Sequence, residues 1–493
     1  MDLPIEWLHF WTYLKEWYWL PLSIIYVTII FSILIDNKNP TKTMAWILVI
    51  VFIPIVGVIL YYFFGQNFKK DIYFTRIDKK ISNEFIENWK QMNKYLSFDF
   101  QLIEDKIGYQ SKVYRYLNYS KSSPPSLNNE VKLLVNGEQK FPEFLNALRN
   151  AKHHIHLEYY IFDLDKLGNE IIQLLIAKAN EGVEVRVTTD DFGSPKLNKK
   201  ANHIFKGTKV KYRTFLPVRF NSLANSNFRN HRKILIVDGD IAFVGGINIS
   251  SRYINSNDTS NLYWRDTSVM IKGDAVNILQ LRFWMDWKMA EGDDYTVNSY
   301  EYVKIHDKIE NGAIVGFGFT SPGAKIQSAM ESMILAISLA KNKIRIATPY
   351  FIPSDEFKNA LLIASNSGIE VELIIPKNGD SRIVQEASFS YTKKLMERGI
   401  KVYCYEKGFI HAKTITIDDE IAFVGTVNLD NRSFFINFEL TAIIHDENLI
   451  KDLIEQHEID KLNSSLLTIE IWNNKTIFNR AFASICRLLA PIL

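Results

Sequence analysis

The amino-acid sequence predicts an α/β protein in which two homologous lobes, each a mixed β-sheet flanked by helices, follow a two-helix transmembrane hairpin. Three observations support this fold class: two long apolar segments near the N-terminus, an internal repeat in the rest of the chain, and strand–helix–strand patterning within each repeat. The chain has 493 residues, of which 47% are hydrophobic and 23% are charged, so it can build several cores.

The patterns divide the chain into four regions. We predict a hairpin, a connector or a cap on the first lobe, a first lobe and a second lobe, with the bounds 1–65, 66–125, 126–310 and 311–493.

The hairpin consists of two apolar segments separated by a short polar turn. The segment 19–35 is apolar apart from a few hydroxyl residues, and the segment 44–64 contains no charge. About 20 apolar residues cross the hydrocarbon core of a bilayer, so the second segment is long enough and the first is slightly short. Tryptophans at positions 7, 11, 17 and 19 precede the first segment, where amphipathic rings favour the membrane interface.

The flanking charges predict the orientation of the hairpin. Lysines and arginines are more frequent after the second segment than in the turn, which predicts cytoplasmic lobes in a cell-membrane protein. A cleavable signal peptide is the alternative, but the N-terminus lacks a basic start and a second apolar segment follows at once.

The internal repeat covers the remainder of the chain. Residues 231–252 and 411–432 are identical at 10 of 22 positions and are offset by 180 residues. Upstream of each segment, an apolar run, a helix-like stretch and a glycine-led strand follow in the same order. This order is typical of βαβ units, so we predict two homologous lobes in which the strands pair largely in parallel.

Each repeat contains one copy of the motif His-x-Lys-x4-Asp. A histidine and a lysine two residues apart on a strand point to the same face, so two facing copies would form a cationic pocket with two imidazoles. Such a pocket suits a phosphodiester, because one imidazole can attack phosphorus, the other can protonate the leaving alkoxide, and lysines can stabilise the transition state. We predict no metal and no other cofactor, since the lysines supply positive charge. The predicted catalytic set is His231, Lys233, Asp238, His411, Lys413 and Asp418.

Residues around the two motifs complete the predicted site. The predicted phosphate ligands are Lys233, Asn248, Lys413 and Asn428. A reacting histidine must be held in one tautomer by an acceptor on its other ring nitrogen, and the candidates for that task are Asp266 and Glu439. Within the motif, Asp238 and Asp418 follow a strand at a turn, which indicates a role in loop structure.

Several other features favour packing or surface roles. The net charge of +3 is too small for a protein that coats nucleic acid. The histidines between residues 153 and 156 lack acidic or cysteine partners at metal-ligand spacing. The two cysteines, Cys404 and Cys486, fit packing positions in a reducing compartment. The apolar tail 478–493 is either an amphipathic helix in contact with a membrane or a packed C-terminal helix.

The motif pair resembles that of the phospholipase D superfamily, and the whole chain resembles its bacterial cardiolipin synthases. The matching segments are Asn230–Lys233, Gly245–Asn248, Tyr263–Asp266, Thr348–Phe351 and Asn428–Glu439, together with several hairpin positions between Asn39 and Gly65. Two departures are Thr426, where the family often has serine, and Ser251-Arg252, which replaces a more acidic pair.

The resemblance implies a reaction and its partners. In that family a phosphatidyl group moves from one phosphatidylglycerol to another, giving cardiolipin and glycerol through a phosphatidyl-histidine intermediate. Carried over, His231 attacks and His411 protonates, although the near symmetry of the pocket leaves this order open. The implied partners are these lipids, glycerol and the membrane bilayer, with no nucleic acid and no predicted oligomeric state.

Three competing functions remain at this stage. A phospholipase D hydrolase would use the same intermediate with water as the acceptor, so the motifs alone do not separate it from a synthase. A membrane nuclease is disfavoured by the small net charge. A non-catalytic membrane scaffold is disfavoured by the intact histidine–lysine pairs in both repeats.

Overall fold

The computed structural model describes residues 19–35, 40–61, 100–217, 227–255, 262–291, 302–474 and 476–488. The chain divides into two compact units, Met1–Tyr73 and Phe74–Leu493. Several sequence predictions concern residues outside the described ones: the interfacial tryptophans before position 19, most of the hairpin turn, the basic cluster after the second apolar segment, and the larger part of the connector.

The described residues of the first unit form three apolar helices, α1 (Trp19–Ile35), α2 (Pro40–Phe52) and α3 (Pro54–Leu60). Proline has no main-chain N–H and disfavours the helical conformation of the residue before it, so Pro54 divides the second apolar segment into α2 and α3. Where this unit is described, no helix combines the length and the apolarity needed to cross a bilayer.

Where it is described, the second unit contains two large β-sheets, two small sheets of two strands each, and flanking helices. The strands of the first lobe are β1 (Asn129–Val135), β2 (His154–Tyr159), β3 (Glu184–Asp190), β4 (Lys211–Phe215), β5 (Lys233–Val237), β6 (Ile241–Gly245), β7 (Trp264–Arg265) and β8 (Thr267–Gly273). Those of the second lobe are β9 (Ile314–Thr320), β10 (Lys343–Ala347), β11 (Phe351–Ile352), β12 (Glu370–Pro376), β13 (Lys401–Tyr405), β14 (Phe409–Ile410), β15 (Thr414–Ile417), β16 (Ile421–Gly425), β17 (Leu429–Asp430), β18 (Glu439–His445) and β19 (Ser464–Leu467). The two small sheets are β11-β17 and β7-β14.

The helices of the second unit lie before, between and after these strands. They are α4 (Phe100–Ile107), α5 (Ser111–Tyr119), α6 (Asn136–Asn150), α7 (Lys166–Asn180), α8 (Pro195–Ile204), α9 (Ala275–Glu291), α10 (Ser328–Ser338), α11 (Asp355–Asn366), α12 (Arg382–Met396), α13 (Asn431–Phe435), α14 (Glu447–Leu462), α15 (Ile469–Asn473) and α16 (Ile477–Leu488).

The two sheets have the same topology. In the described residues the first sheet has the order β1-β8-β6-β5-β2-β3-β4, and the second has the order β9-β18-β16-β15-β10-β12-β13-β19. The first seven strands of the two sheets, in the orders given, correspond one to one. This correspondence is the structural counterpart of the sequence repeat. Within these two sheets, parallel pairing is confined to β2-β3-β4 and to β10-β12-β13, and the other pairs are antiparallel. The expectation of largely parallel pairing is therefore wrong. Antiparallel hairpins such as β5-β6 contribute strands to each sheet in addition to those of the βαβ units.

The two lobes pack through one face of each sheet. Along β5, Ile234 and Ile236 face the other lobe and form a core with α9, α14 and the strands β9, β16 and β18. The alternate residues Leu235 and Val237 face α6, α7 and α8 on the outside of the first lobe. Burial of both faces explains the uninterrupted apolar run of this strand.

The described part of the predicted connector, α4 and α5, joins the core of the second lobe. Tyr114 of α5 is buried, and its hydroxyl donates to the carbonyl oxygens of Ile314 and Ile443, both at 3.3 Å. The core that these helices enter consists otherwise of second-lobe residues. The expectation that this region caps the first lobe is therefore wrong for residues 100–119.

Candidate active site

Two short parallel strand contacts join the lobes at the motif histidines. Strand β14 pairs with β7, and as a result the main-chain N–H of His411 donates to the carbonyl oxygen of Arg265 at 2.7 Å. In the other half, a bridge between Asn230 and Phe438 accompanies the donation from the main-chain N–H of His231 to the carbonyl oxygen of Phe438 at 2.9 Å. Each motif histidine is thus fixed next to the residue that precedes a carboxylate of the other lobe.

Each imidazole is paired with the carboxylate of the opposite lobe. Nδ1 of His231 lies 2.9 Å from Oε2 of Glu439, and Nδ1 of His411 lies 2.7 Å from Oδ2 of Asp266. Both carboxylates are fully buried, whereas the histidine side chains keep 11% and 10% exposure. A histidine that donates Nδ1–H to a carboxylate presents Nε2 as a base or nucleophile, and the residual exposure gives that atom access to a ligand.

The motif lysines lie against the histidines of their own motifs. Nζ of Lys233 donates to the carbonyl oxygen of His231 at 2.6 Å, and Nζ of Lys413 donates to the carbonyl oxygen of His411 at 2.5 Å. Both lysines are buried. An ammonium has three N–H donors, so each lysine that binds in this way can also donate to an anion.

Both carboxylates are supported by residues from the repeat. Glu439 accepts hydrogen bonds from Oγ1 of Thr426 at 2.6 Å and from Nδ2 of Asn437 at 3.1 Å. In the first lobe, Gly246 occupies the position of Thr426, and a Cβ there would lie 2.2 Å from Oδ1 of Asp266. The second lobe thus supplies a hydrogen-bond donor to Glu439, whereas the first lobe has a glycine that leaves space for the carboxylate of Asp266.

The roles of Thr426 and Asn437 are not apparent from the sequence patterns. The resemblance presents Thr426 only as a substitute for serine, and the available signal was its position directly after the repeated strand.

Burial and neighbouring charges set the ionisation of the two histidines. Burial lowers the pKa of His231, and the nearby Glu439 offsets this only in part. Burial, together with the charge of Lys413, lowers the pKa of His411 to about 3. Both imidazoles are therefore neutral at neutral pH.

The lysines and carboxylates influence one another in the same pocket. Burial lowers the pKa of Lys413 to about 8 and lowers the pKa of Lys233 further below its ordinary value, with the charge of Lys413 adding to the effect. Burial opposes ionisation of Asp266 and Glu439, but the adjacent lysines and histidines outweigh it and hold both pKa values below their ordinary range. A bound anion would stabilise the charged form of both lysines.

The two predicted phosphate-binding asparagines differ in their contacts. Asn248 is engaged within the first lobe: its Oδ1 accepts from the main-chain N–H of Ile161 at 3.2 Å and its Nδ2 donates to the hydroxyl of Tyr253 at 2.8 Å. Asn428 is buried, and its Oδ1 has no hydrogen-bond partner within the described part of the chain. Asn428 of the second lobe is therefore less engaged in hydrogen bonds within the protein than Asn248 of the first lobe.

Aromatic side chains surround the two histidines. The ring of Tyr160 meets that of His231 edge to face at a centroid distance of 4.8 Å, and Nζ of Lys233 lies 5.3 Å from the centre of the same tyrosine ring. Trp264 meets His411 edge to face at 5.7 Å. These aromatic residues were not among the predicted site residues, although Tyr160 directly follows a predicted strand of the first lobe.

The motif aspartates lie at the opposite ends of strands β5 and β15 from the histidines. The carboxylate of Asp238 accepts from the main-chain N–H groups of residues 152–154 at 2.7 to 2.9 Å. Asp418 accepts in the same way from residues 341–343. Both residues have positive φ, 55° and 53°, at the turn that follows the strand. This arrangement ties each turn to the start of the neighbouring strand.

The remaining histidine cluster and the cysteines lie in packed positions. Nε2 of His154 lies 2.9 Å from Oε1 of Gln280, and Nδ1 of His156 lies 2.7 Å from Nε2 of the same side chain. Cys404 and Cys486 are both buried with free thiols. Neither group lies among the residues of the motif pocket described above.

Two protein families match the sequence. The family described as "Cardiolipin synthase, PLD-like domain" matches residues 144–287 and 333–460, which together are more than half of the chain. The family described as "Phospholipase D-nuclease N-terminal" matches residues 24–66. The first family thus spans both motifs, and the second spans the apolar helices.

Individual proteins are similar over nearly the whole chain. The cardiolipin synthase of Alkalihalophilus pseudofirmus is 38% identical over 475 residues, which are 96% of this chain and 92% of that protein. The cardiolipin synthase of Halalkalibacterium halodurans is 36% identical with the same coverage. Among solved structures, the phosphatidylserine synthase of Haemophilus influenzae matches 78% of this chain and 100% of its own, with a TM-score of 0.59 and 15% identity. The last likeness concerns the fold alone.

The pKa of Lys413 leads to a prediction about pH. Because this pKa is lowered to about 8, the ammonium is charged below that pH and neutral above it. If Lys413 and Lys233 must both bind an anionic substrate in their charged forms, kcat/KM falls with rising pH, by about tenfold per unit while one lysine loses its charge and more steeply once both have lost it. Initial rates of wild type and of Lys413→Arg across the alkaline range would test this, since a guanidinium keeps its charge there. An alkaline limb that is unchanged in Lys413→Arg would show that another group causes it.

The contacts of Asp238 lead to a prediction that separates stability from turnover. Asp238→Ala removes the acceptor of three main-chain N–H groups, so we expect the free energy of unfolding to fall by about 2 kcal/mol, while turnover per folded molecule stays within about threefold. Unfolding in detergent and initial rates would be measured together.

The matched control for this variant is Asp240→Ala in the same turn. Asp240 is partly exposed and pairs with Lys304, and such a pair contributes about 1 kcal/mol or less. A loss of turnover above about a hundredfold in Asp238→Ala, without lower stability, would instead place this aspartate in the chemistry.

Proposed function

The chain belongs to the phospholipase D-like family of cardiolipin synthases, and from this membership we propose that it joins two phosphatidylglycerol molecules into cardiolipin and releases glycerol. The observation that carries the chemistry is the crossed arrangement of the histidines, in which each imidazole is held by a buried carboxylate of the other lobe. Two opposed imidazoles with two lysines suit a two-step phosphoryl transfer without a further group.

In the first step, Nε2 of His231 attacks the phosphorus of one phosphatidylglycerol. The new N–P bond forms while the bond from phosphorus to the glycerol oxygen breaks, and His411 donates a proton to the departing alkoxide. Glu439 stabilises the positive charge that develops on the His231 ring, because its carboxylate lies 2.9 Å from Nδ1. His411 is neutral at neutral pH, and the phosphate anion favours the proton that it needs as an acid.

In the second step, a second phosphatidylglycerol supplies the attacking hydroxyl. His411 removes the proton from its terminal glycerol oxygen, this oxygen bonds to phosphorus, and the N–P bond to His231 breaks. The atoms balance as one cardiolipin and one glycerol from two phosphatidylglycerols. Lys233 and Lys413 stabilise the equatorial oxygens in both steps, and we assign the same role to the Nδ2 donor of Asn428.

The order of the two histidines rests on the family resemblance. His231 is assigned as the nucleophile and His411 as the acid and base, and Glu439 and Asp266 are assigned as the residues that orient them. Asp238 and Asp418 are assigned to turn structure, on the main-chain contacts described above.

The reaction is tested with purified protein and phosphatidylglycerol vesicles. We expect cardiolipin and glycerol in equal amounts, and a loss of at least about a thousandfold in kcat for His231→Asn and for His411→Asn, because each removes a reacting group. The control is His203→Asn, which changes an exposed histidine of α8 and should leave the rate unchanged. Acid-labile phosphatidyl-peptide mapping would identify the nucleophile.

Two results would contradict the proposal in different ways. Phosphatidic acid without cardiolipin would identify a hydrolase. A near-wild-type rate for either histidine variant would exclude the two-histidine mechanism.

We also propose that the apolar helices α1 to α3 lie in the cell membrane as a two-span hairpin and that the lobes are cytoplasmic. The support is threefold: these helices expose large apolar side chains such as Val27, Phe52 and Ile55 at 66%, 77% and 71%; a family of N-terminal segments matches residues 24–66; and basic residues follow the second apolar segment. Side chains of this kind are stable in hydrocarbon and unfavourable in water.

The predicted topology is tested by proteolysis of intact and of permeabilised spheroplasts. We expect the lobes to survive external protease in sealed spheroplasts and to be degraded after permeabilisation. Degradation in sealed spheroplasts would place the lobes outside the cell.

A further inference from the structure

Helix α16 (Ile477–Leu488) is attached to the second lobe by its small residues. Ala483 and Cys486 are each only 1% exposed, whereas Phe478, Ile485 and Leu488 are 83%, 58% and 76% exposed. A surface helix of a globular domain normally turns its large apolar side chains toward the core. Helix α16 instead turns its small residues toward the lobe and its large apolar side chains outward. These side chains can therefore contact a bilayer or another protein.

The attachment of α16 is specific. Cys486 packs with Ala387 of α12 and Ile352 of β11 in one buried cluster, and the guanidinium of Arg382 lies 5.6 Å from the centre of the Phe482 ring. The helix is therefore held in a defined orientation by α12, and its exposed face does not result from a detached tail.

Neighbouring elements extend the exposed face. The short helix α15 also packs against α12, and its residues Ile469 and Ile471 are 37% and 53% exposed. We call the combined set the C-terminal apolar surface. Its members are Ile469, Ile471, Ile477, Phe478, Ile485 and Leu488.

The elements that carry this surface also border the active site. Strand β11, which supplies Ile352 to the buried cluster, pairs with β17, the strand that directly follows Asn428. Asp380, two residues before α12, accepts a hydrogen bond from the hydroxyl of Tyr350 at 2.5 Å, and its charge acts on Lys413. The surface and the pocket are thus joined through two short strands and one helix.

The charged residues of α16 indicate whether an anionic bilayer or a second copy of the chain contacts the C-terminal apolar surface. At 100° per residue, Arg480 and Arg487 lie between the buried seam and the apolar face of α16, and both are exposed. Apolar residues flanked by arginines are typical of helices that lie in the headgroup region of anionic bilayers. A second copy of the chain would instead bring these arginines toward like charges in a symmetric contact.

We propose that the C-terminal apolar surface lies in the interface of an anionic phospholipid bilayer and holds the mouth of the active site at the headgroup plane. This inference rests on the proposed function, because an enzyme that joins two anionic lipids must receive both from that plane. The large apolar residues enter the acyl boundary, the arginines contact headgroup phosphates, and the seam on α12 transmits this position to the pocket.

Contact with the bilayer is tested on the full-length protein in phosphatidylglycerol vesicles. The variant Phe478→Cys is labelled with an environment-sensitive fluorophore, and quenching by lipids with spin labels in the acyl chain is measured. Lys199→Cys on the exposed side of α8 is the matched control. We expect at least about threefold stronger quenching at position 478 than at position 199. A blue-shifted probe without acyl-chain quenching would indicate a protein partner, either a second copy or the N-terminal helices, and would overturn the proposal.

The role of the surface in turnover is tested with Phe478→Ser combined with Ile485→Ser. Both residues are exposed, so the fold should be retained. We expect the apparent KM for phosphatidylglycerol in vesicles to rise about tenfold, while turnover of dispersed short-chain phosphatidylglycerol stays within about twofold of wild type. Equal KM values in vesicles would contradict the proposal.

The two hypotheses can fail separately. Quenching reports bilayer contact whether or not cardiolipin forms, so strong quenching without cardiolipin would reject only the proposed reaction. Cardiolipin synthesis without quenching would reject only the proposed surface.

Discussion

The structure depends on a crossed exchange between its two lobes, in which the motif histidine of each lobe lies within hydrogen-bond distance of a buried carboxylate of the other. Neither half has a complete site alone, so the lobes must dock in a fixed register. Buried arginines next to the exchanged residues support that register. Arg232 donates through Nε to the carbonyl oxygen of Glu439 at 3.1 Å and pairs with Asp286 at 2.5 Å, and Arg265 pairs with Asp460 at 2.9 Å. Breaking such a buried pair leaves an uncompensated charge, which is costly.

The electrostatics of the pocket follow from the same docking. Two ionised carboxylates and two lysines are buried together, away from most of the solvent. Their charges therefore interact strongly with one another. The lysines release protons more readily than they would in water because burial disfavours their charge. A bound anion would favour the charged form of both lysines.

Much of the site could be predicted from the sequence, because the information is local. A histidine and a lysine two residues apart lie close together at the start of a strand, even though β5 begins at Lys233 and β15 at Thr414. The aspartate at the following turn has a plain structural interpretation. The crossing could not be predicted, because Asp266 and Glu439 each follow a motif in their own lobe and periodicity does not say which histidine they meet. The largely antiparallel pairing arose from hairpins whose partners are distant in sequence, and the packing of α4 and α5 on the second lobe depends on tertiary contacts alone.

The identical topology of the two sheets has a consequence for the ancestry of the fold. A half-length ancestor with one motif would have been complete only as a symmetric pair, in which each copy oriented the histidine of its twin. Joining the copies in one polypeptide keeps the halves at high local concentration. It also ends the requirement that both halves carry the same residues. Gly246 and Thr426 are corresponding positions at which the two halves differ, and each lies beside the carboxylate of its own lobe.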